Sequence, residues 1–292
     1  MKKNIKLFQF GFILTILLFS FSCSNDNKKE DPKPEAIEPV VFTAIGDVPY
    51  NDFQRDSIVK VIAKHNEIAK SEFVIHVGDI KSGKAACEEA VYKDVSDILS
   101  AFTTPTFIVL GDNEYNDCED PEQGLAYWNQ YFLNFYKKRS FEPKVFTQTK
   151  RPENFSFIKK RVLFIGINIV GSSVHNQTEW TTRLTDNANW VKQHLEANKE
   201  DVEAVIIFGH ANITEGNPTK FESFTVPFRT AAATFGKPIL YLQGDGHVYF
   251  KNKPWPEQNI TRVQIDGRHR ALEVTVDANK ADPSSFNRTY LD

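Results

Sequence analysis

Five apolar segments of this chain end in the same way, with a glycine followed by an aspartate or a histidine. The five pairs are Gly46-Asp47, Gly78-Asp79, Gly111-Asp112, Gly209-His210 and Gly244-Asp245. One such pair is a common turn, but five at equivalent places indicate a shared position in the fold. In open α/β sheets, ligands bind at the carboxyl ends of the strands, where glycine lets the chain turn sharply. We therefore expect these side chains to meet in one site, together with His247 two residues after Asp245.

Carboxylates and imidazoles that converge in this way need cations between them. Oxygen and nitrogen ligands of this kind suit divalent metal ions, and two such ions a few ångströms apart form the usual clamp for hydrolysing phosphate esters. A metal-bound hydroxide can then act as the nucleophile, so no serine or cysteine is required. The candidate metal ligands are Asp47, Asp79, Asp112, His210, Asp245 and His247.

Strands and helices alternate along the chain, which predicts a layered α/β fold. The predicted strands of the first half are 40–47, 73–79 and 106–112, and the predicted helices are 52–70, 88–102 and about 122–138. The second half has two β segments within 154–170, a helix over 178–198 and strands over 204–210 and 238–245. The alternating segments 260–266 and 271–277 are predicted to be antiparallel strands.

The composition indicates a large folded domain and argues against a nucleic-acid-binding protein. Hydrophobic residues make up 41% of the chain, and its 24 phenylalanines are ample for a large core. The formal net charge of -3 lacks the basic balance of a nucleic-acid-binding surface. We assign residues 40–292 to one domain.

The amino-terminal residues have the layout of a secretory signal, since three lysines precede an apolar run that ends at Cys23. A transmembrane anchor is the alternative, but the apolar core over 7–21 is short for a bilayer span of roughly 20 residues. The letters FSFSC resemble a loose bacterial lipobox, which predicts a lipoprotein signal over 1–22 and lipidation of Cys23. Residues 23–39, charged and proline-rich, predict a flexible tether. The expected location is the cell envelope, lipid-anchored outside the cytoplasm, either facing the periplasm or on the cell surface.

Two cysteines remain once Cys23 is assigned to a lipid. Cys87 and Cys118 each follow a Gly-Asp turn by a few residues. Outside the cytoplasm two leftover thiols tend to pair, which predicts a Cys87–Cys118 disulfide. The alternative is a pair of buried free thiols.

The order of the strand-end motifs resembles the calcineurin-like metallophosphoesterase family. The matching letters are GDVPY, GDIKSG, GDNEY, GHAN and GDGH, which span Asp47 to His247. The resemblance implies a four-layer α/β/β/α sandwich and hydrolysis of phosphate esters with two divalent metal ions. It also implies that Asp79 bridges both ions, that Asp47 and His247 hold one of them, and that the other is held by three residues. These three are Asp112, His210 and Asp245.

Three motifs depart from the family pattern. Pro49 stands where the family has a metal-binding histidine, so either a water or the oxygen of Tyr50 must replace that ligand. Asn113 stands where the family has the histidine that assists leaving-group protonation, and Asp245 replaces another histidine. Losing a general acid typically costs roughly 10²–10⁴-fold in rate, so activated esters are the expected substrates.

The same departures affect which metal ion the site is expected to prefer. Four aspartates stand against two histidines, and hard oxygen ligands favour manganese, magnesium or calcium over zinc.

Other residues are assigned by the resemblance or by their place near strand ends. Asn113 and His210 are the candidate catalytic residues, and Glu114 is expected to brace its loop. The candidate substrate-binding residues are Lys81, Asn113, Asn168 and His175. For Lys81 the alternative is a merely exposed lysine, and His76 is interpreted as a packed strand residue.

These observations favour an envelope-anchored, metal-dependent phosphoesterase whose partners are a phosphate-ester substrate and, through the lipid on Cys23, the membrane. The alternative is a non-catalytic domain that uses the same fold to bind a ligand or a partner, since fold alone does not establish activity.

Cys23 is expected to carry a lipid. Mass spectrometry of the mature amino terminus should find a diacylglycerol-modified Cys23, because the charged start, apolar run and cysteine form a lipoprotein signal. A mature terminus at any other residue, without lipid, would contradict it.

Overall fold

A computed structural model of the chain describes residues 36–214 and 216–291. The predicted signal over 1–22, Cys23 and most of the predicted tether over 23–39 lie outside these residues. None of the described helices is both long enough and apolar enough to cross a bilayer.

The described strands and helices alternate as expected in the first half of the chain. In chain order the strands are β1 (Val40–Ile45), β2 (Phe73–His76), β3 (Thr106–Ile108), β4 (Phe146–Thr147), β5 (Phe155–Lys159), β6 (Val162–Gly166), β7 (Ala204–Phe208), β8 (Ile239–Gln243), β9 (Phe250–Asn252), β10 (Ile260–Gln264), β11 (Leu272–Val276) and β12 (Ser284–Asn287). The helices are α1 (Asp52–Ile68), α2 (Glu89–Leu99), α3 (Pro121–Phe132), α4 (Gln177–Ala197) and α5 (Glu222–Phe235), with 3-10 turns at Phe135–Lys138 and Pro218–Phe221.

These strands form two sheets that each present a row of parallel strand ends. One sheet has the order β12-β11-β1-β2-β3 and the other β4-β5-β6-β7-β8-β10-β9. Strands β1, β2 and β3 are parallel, as are β6, β7, β8 and β10. Every Gly-Asp or Gly-His pair therefore leaves its sheet at the carboxyl edge, as the sequence predicts.

The core between the sheets consists largely of phenylalanine. Alternate residues of the first sheet, such as Phe42 and Phe73, share one buried cluster with Phe164 and Phe208 of the second. The rings of Phe42 and Phe73 stack with centroids 4.9 Å apart, and Phe164 meets Phe42 edge-on at 5.9 Å. Burying one such side chain contributes about 1.5–3 kcal/mol, so this layer is a main source of stability.

Helices cover the outer face of each sheet. On the first sheet, one buried cluster contains Ile58 of α1, Tyr92 of α2, Trp128 of α3 and Val74 of β2. On the second, another contains Trp180 of α4, Phe224 of α5, Ile165 of β6 and Ile207 of β7. The predicted four-layer α/β/β/α sandwich is thus confirmed.

Two helix predictions differ from the structure. The helix predicted over 122–138 ends at Phe132, because Asn134 adopts a left-handed φ of 58° before the 3-10 turn. Helix α5 was not predicted, since Pro227 and a run of phenylalanine and β-branched residues hide its periodicity.

The last two predicted strands lie in different sheets. Strand β11 is antiparallel to β1, as predicted. Strand β10, in contrast, runs parallel to β8 and is antiparallel only to the short β9. Alternation reports a half-buried strand but not the direction of its neighbour.

The predicted disulfide is confirmed. Cys87 and Cys118 are bonded, with their Cα atoms 5.7 Å apart. The bridge joins the loop after β2 to the loop after β3, and the Cys87 sulfur lies 3.6 Å from the carbonyl oxygen of Asn113. It therefore stabilises two of the turns that carry the candidate ligands.

We predict that replacing both Cys87 and Cys118 by alanine lowers the free energy of unfolding by about 3–4 kcal/mol, the loop entropy expected for a bridge of this span. Urea denaturation of the metal-free protein measures the loss. Reduced wild-type protein should unfold with the double variant, and equal stability of oxidised wild type and variant would contradict the prediction.

Candidate metal centre

Four of the six candidate ligands share an uncommon backbone conformation. The φ angles are 55° at Asp47, 61° at Asp79, 73° at Asp245 and 56° at His247. Residues other than glycine adopt this left-handed region rarely, at a cost of order 1–3 kcal/mol each. Such strain, repeated at four candidate ligands, is typical of a functional site.

Gly111 allows the turns after β2 and β3 to touch. A Cβ atom at Gly111 would lie 2.1 Å from the backbone nitrogen of Asp79 and 2.3 Å from its Oδ1. No other residue fits there, so the glycine of the third pair determines how closely Asp79 and Asp112 approach.

Asp79 makes the most contacts within the cluster. Its Oδ1 accepts the backbone N–H of Asn113 at 3.1 Å, and its Oδ2 accepts the Tyr50 hydroxyl at 2.6 Å and the Asn113 amide at 2.5 Å. Although burial alone would raise it, the charge of His210 and these hydrogen bonds lower the pKa of Asp79 below its usual value. Asp79 is therefore held as a carboxylate at the centre of the site.

His210 points one ring nitrogen at two carboxylates. Its Nδ1 donates to the carbonyl oxygen of Val77 at 2.7 Å. Its Nε2 lies 3.3 Å from Asp79 Oδ1 and 3.1 Å from Asp112 Oδ1. Although burial alone would lower it, the charge of Asp79 and the contact with Asp112 raise the pKa of His210 well above its usual value. The position of Nε2 thus requires a positive charge, which either a proton or a metal ion supplies.

The donor atoms fit divalent cations. One ligand atom each from Asp47, Asp79 and His210 lie within 4.8 Å of one another, and so do those from Asp112, His210 and Asp245. The Oδ2 atom of buried Asp47 has no hydrogen-bond partner in the described part of the chain. Burial raises the pKa of Asp47, although its hydrogen bond to His247 opposes this. The Oδ2 atom of Asp47 and the nearby Nε2 atom of His210 are therefore suitable ligands for a metal ion.

His247 joins the cluster through Asp47. Its Nε2 lies 3.2 Å from Asp47 Oδ1, and this contact is the main reason why the pKa of His247 is raised. The two groups of ligand atoms pair Asp47 with His210 rather than with His247. All six predicted ligands are brought together, and their division between two ions stays a prediction.

Tyr50 fills the space next to Pro49. Its hydroxyl lies 2.6 Å from Asp79 Oδ2, 3.2 Å from His247 Nε2 and 3.4 Å from Asp47 Oδ1. Burial and the charge of Asp79 raise the pKa of Tyr50 above its usual value, so the phenol keeps its proton and donates to Asp79. Of the two substitutes considered from the sequence, the tyrosine oxygen thus reaches the cluster.

Glu114 braces the turns, as expected. Its carboxyl oxygens accept the backbone N–H groups of Gly111 at 2.6 Å, Asp79 at 3.2 Å and Ile80 at 3.2 Å. Burial and the charge of Asp79 raise the pKa of Glu114 to about 8. The residue orients the ligand turns, and it belongs to neither group of ligand atoms found in the described part of the chain.

The side chains of Asn113 and Lys81 are both hydrogen-bonded to neighbouring oxygen atoms. The Asn113 amide donates to Asp79 and to the carbonyl oxygen of Lys81 at 3.0 Å. The Lys81 ammonium donates to the carbonyl oxygens of Ser82 at 3.1 Å and Ala85 at 2.8 Å. Lys81 is only 2% exposed, so the alternative of an exposed lysine is wrong.

Within residues 36–214 and 216–291, Asn168 and His175 form no hydrogen bond or ion pair with the six predicted ligands. The Asn168 amide donates to Glu153 at 2.9 Å within a buried polar network. His175 is exposed on the loop after β6. Their predicted roles in substrate binding therefore receive no support from these contacts.

His76 is packed, as predicted, but it lies close to the site. Its Nε2 donates to the carbonyl oxygen of Val48 at 3.1 Å, directly after the Asp47 turn. The imidazole therefore stabilises the turn that carries Asp47.

A sixth strand end was missed by the sequence analysis. The loop 266–270 follows β10, and the N–H of Arg268 donates to the carbonyl oxygen of Asp47 at 3.2 Å. Its turn reads Asp266-Gly267, the reverse of the Gly-Asp order used to find the others. A pattern that allowed either order would have found it.

Comparisons with solved structures match the same architecture. A dimetal phosphatase from Danio rerio aligns with a TM-score of 0.55 and 13% identity over 86% of this chain and 99% of its own. A purple acid phosphatase from yellow lupin seeds aligns with a TM-score of 0.53 and 11% identity over 88% of this chain and 55% of its own. The 5'-nucleotidase from Candida albicans aligns with a TM-score of 0.51 and 14% identity over 85% of this chain and 50% of its own. At these identities the likeness establishes the fold alone.

A comparison of the sequence with curated proteins found no match. The model of the calcineurin-like phosphoesterase family matches residues 40–249, which contain all five motifs and all six predicted ligands. This match covers most of the chain and agrees with the layers, the strand-end turns and the Asp/His cluster described above. The chain therefore belongs to the calcineurin-like phosphoesterase family of metal-dependent hydrolases.

Proposed function

We propose that the Asp/His cluster at the carboxyl edges of the two sheets binds two divalent cations and hydrolyses phosphate esters in an envelope-anchored protein. The cluster consists of Asp47, Asp79, Asp112, His210, Asp245 and His247. The position of His210 carries the proposal, because its Nε2 faces two carboxylates at 3.1–3.3 Å while Val77 fixes its other nitrogen.

Divalent cations bound there would supply charge for the phosphate oxygens and activation of a water molecule. The chain's own residues hold the ligands in place. Tyr50 and Asn113 orient Asp79, and Glu114 fixes the backbone on either side of it. Asp245 is oriented in turn, since its Oδ2 accepts the N–H of Asn212 at 3.2 Å.

The site lacks the family's proton-donating histidine. The Asn113 side chain cannot release a proton, and its amide is already bonded to Asp79. Esters whose leaving groups depart without protonation, such as aryl phosphates, are therefore the substrates that the site fits best.

The envelope location rests on the sequence of the first residues, in which three lysines and an apolar run precede Cys23. A lipid on Cys23 would anchor the protein to the membrane outside the cytoplasm.

We predict that Asp79→Asn strips bound manganese and lowers hydrolysis of p-nitrophenyl phosphate by roughly 10²-fold or more, because the substitution removes one anionic ligand from both ions. Equilibrium dialysis with metal analysis and an esterase assay measure the two effects. Asp97→Asn, on the exposed surface of α2, is the matched control. His76→Ala is unsuitable as a control because of its bond beneath the Asp47 turn.

The outcome distinguishes a metal-dependent phosphoesterase from a non-catalytic binding domain. Wild-type protein that takes up no divalent ion at micromolar concentration, and that behaves as Asp79→Asn does, would favour the non-catalytic binding domain.

We also predict that Asp245→His shifts the metal preference toward zinc, since an imidazole replaces a hard carboxylate among the ligands. Competition between zinc and manganese, followed by mass spectrometry of the retained metal, should give a higher zinc-to-manganese ratio for the variant than for wild type. An unchanged ratio would mean that Asp245 is not a ligand.

A further inference from the structure

The loop 266–270 crosses from the second sheet to the first at the edge of the metal centre. It connects β10 to β11, and the N–H of Arg268 donates to the carbonyl oxygen of Asp47 at 3.2 Å. A Cβ atom at Gly267, whose φ is +67°, would lie 2.8 Å from Asp47 Oδ2. Glycine therefore lets this loop lie directly against a candidate metal ligand.

The loop carries the sequence Arg268-His269-Arg270, and all three residues are exposed. In the described part of the chain, neither the Arg268 nor the Arg270 guanidinium forms a salt bridge. The base of the loop is fixed, because Asp266 binds Arg288 at 2.8 Å and Arg288 lies over the ring of Tyr249 at 4.3 Å. Two unpaired positive charges are thus held on an anchored turn.

Arg268 lies at the rim of the metal centre. Its N–H is bonded to the Asp47 turn, and a Cβ atom at the preceding Gly267 would lie 2.8 Å from Asp47 Oδ2. The Arg268 side chain therefore begins beside a candidate ligand, and Arg270 follows on the same turn.

The four aspartates of the cluster and a bound phosphate would together carry a large negative charge. Two divalent cations would only balance the four aspartates among the six ligands, which leaves the charge of a bound phosphate unmatched. Two buried cations are engaged with other groups, since Lys81 donates to the carbonyl oxygens of Ser82 and Ala85 and Arg262 donates to the side chains of Asn212 and Thr214. Arginine binds phosphate oxygens with a planar pair of donors, which suits a dianion at the rim of the site.

We propose that Arg268 and Arg270 bind the phosphate group of the substrate and make the enzyme prefer phosphate monoesters to diesters. A monoester presents a dianionic phosphate with three free oxygens, whereas a diester presents one negative charge and two free oxygens. Two guanidinium groups beside the cations therefore stabilise the monoester more. This substrate class rests on the proposed phosphoesterase function.

The test compares p-nitrophenyl phosphate with bis(p-nitrophenyl) phosphate, two esters with the same leaving group and different charge. Arg268→Gln, Arg270→Gln and the double variant are assayed with manganese, and the Kd of inorganic phosphate is measured by calorimetry on the same proteins. Each substitution should lower kcat/KM for the monoester about tenfold, the loss expected of one charge-assisted hydrogen bond. The Kd of phosphate should rise by a similar factor, and kcat/KM for the diester should fall less than about threefold.

Arg161→Gln is the matched control. Arg161 is exposed, has the same left-handed backbone as Arg268, with φ 60° against 61°, and precedes β6 at the opposite edge of the sheet. The control removes the same charge and should change neither ester nor phosphate binding. Manganese content, measured on every variant, should stay at the wild-type value.

The outcomes distinguish this inference from the proposed function. Hydrolysis by wild type with an unchanged monoester-to-diester ratio in the double variant would overturn the role of the arginines and leave the hydrolase standing. Arginine-dependent phosphate binding by a protein that hydrolyses neither ester would support the anion site and overturn the proposed hydrolysis. Absence of both activity and phosphate binding would overturn both.

Discussion

The concentration of negative charge at one edge of two sheets is the constraint on which the rest of the structure depends. Asp79 and Asp112 both approach His210 Nε2 within 3.3 Å, and one oxygen of Asp47 has no hydrogen-bond partner among the described residues. Carboxylates that are buried close together destabilise a fold unless cations or hydrogen-bond donors compensate. The surrounding residues provide that compensation. Backbone N–H groups, the Tyr50 phenol and the Asn113 amide all point at carboxylate oxygens.

The compensation requires a rigid scaffold, which the aromatic core supplies. Phe42 precedes the Asp47 turn on β1, and Phe73 precedes the Asp79 turn on β2. Their rings stack between the sheets and fix the spacing of the two strands that deliver these aspartates. Left-handed turns at the strand ends cost free energy of order 1–3 kcal/mol each, and this cost is small beside the burial of so many large side chains. A large core therefore allows a strained and highly charged edge.

The strand ends could be predicted from the sequence because their chemistry is local. A run of apolar residues, a glycine and a polar residue mark each turn, and parallel topology brings such turns to one edge. The contacts of Lys81, Asn168 and the loop 266–270 could not be predicted in this way. Lys81 reaches carbonyl oxygens of its own loop, Asn168 joins a network with Glu153, and the loop depends on β10 running parallel to β8. The Lys81 contacts depend on the path of its own loop, and the other two depend on packing between segments that are separated in the sequence. Residue spacing reports neither.

The position of His210 makes metal binding and sheet packing interdependent. His210 follows β7 of the second sheet, yet its Nδ1 is bonded to the carbonyl oxygen of Val77, which follows β2 of the first. Its Nε2 then faces Asp79 and Asp112, which also belong to the first sheet. A cation held between these groups would join the two sheets at their charged edge, in addition to the phenylalanine core that lies between the sheets. Because a ligand that binds only the folded state adds to stability, by about 4 kcal/mol at a thousand times its Kd, cations bound to these carboxylates would stabilise the fold.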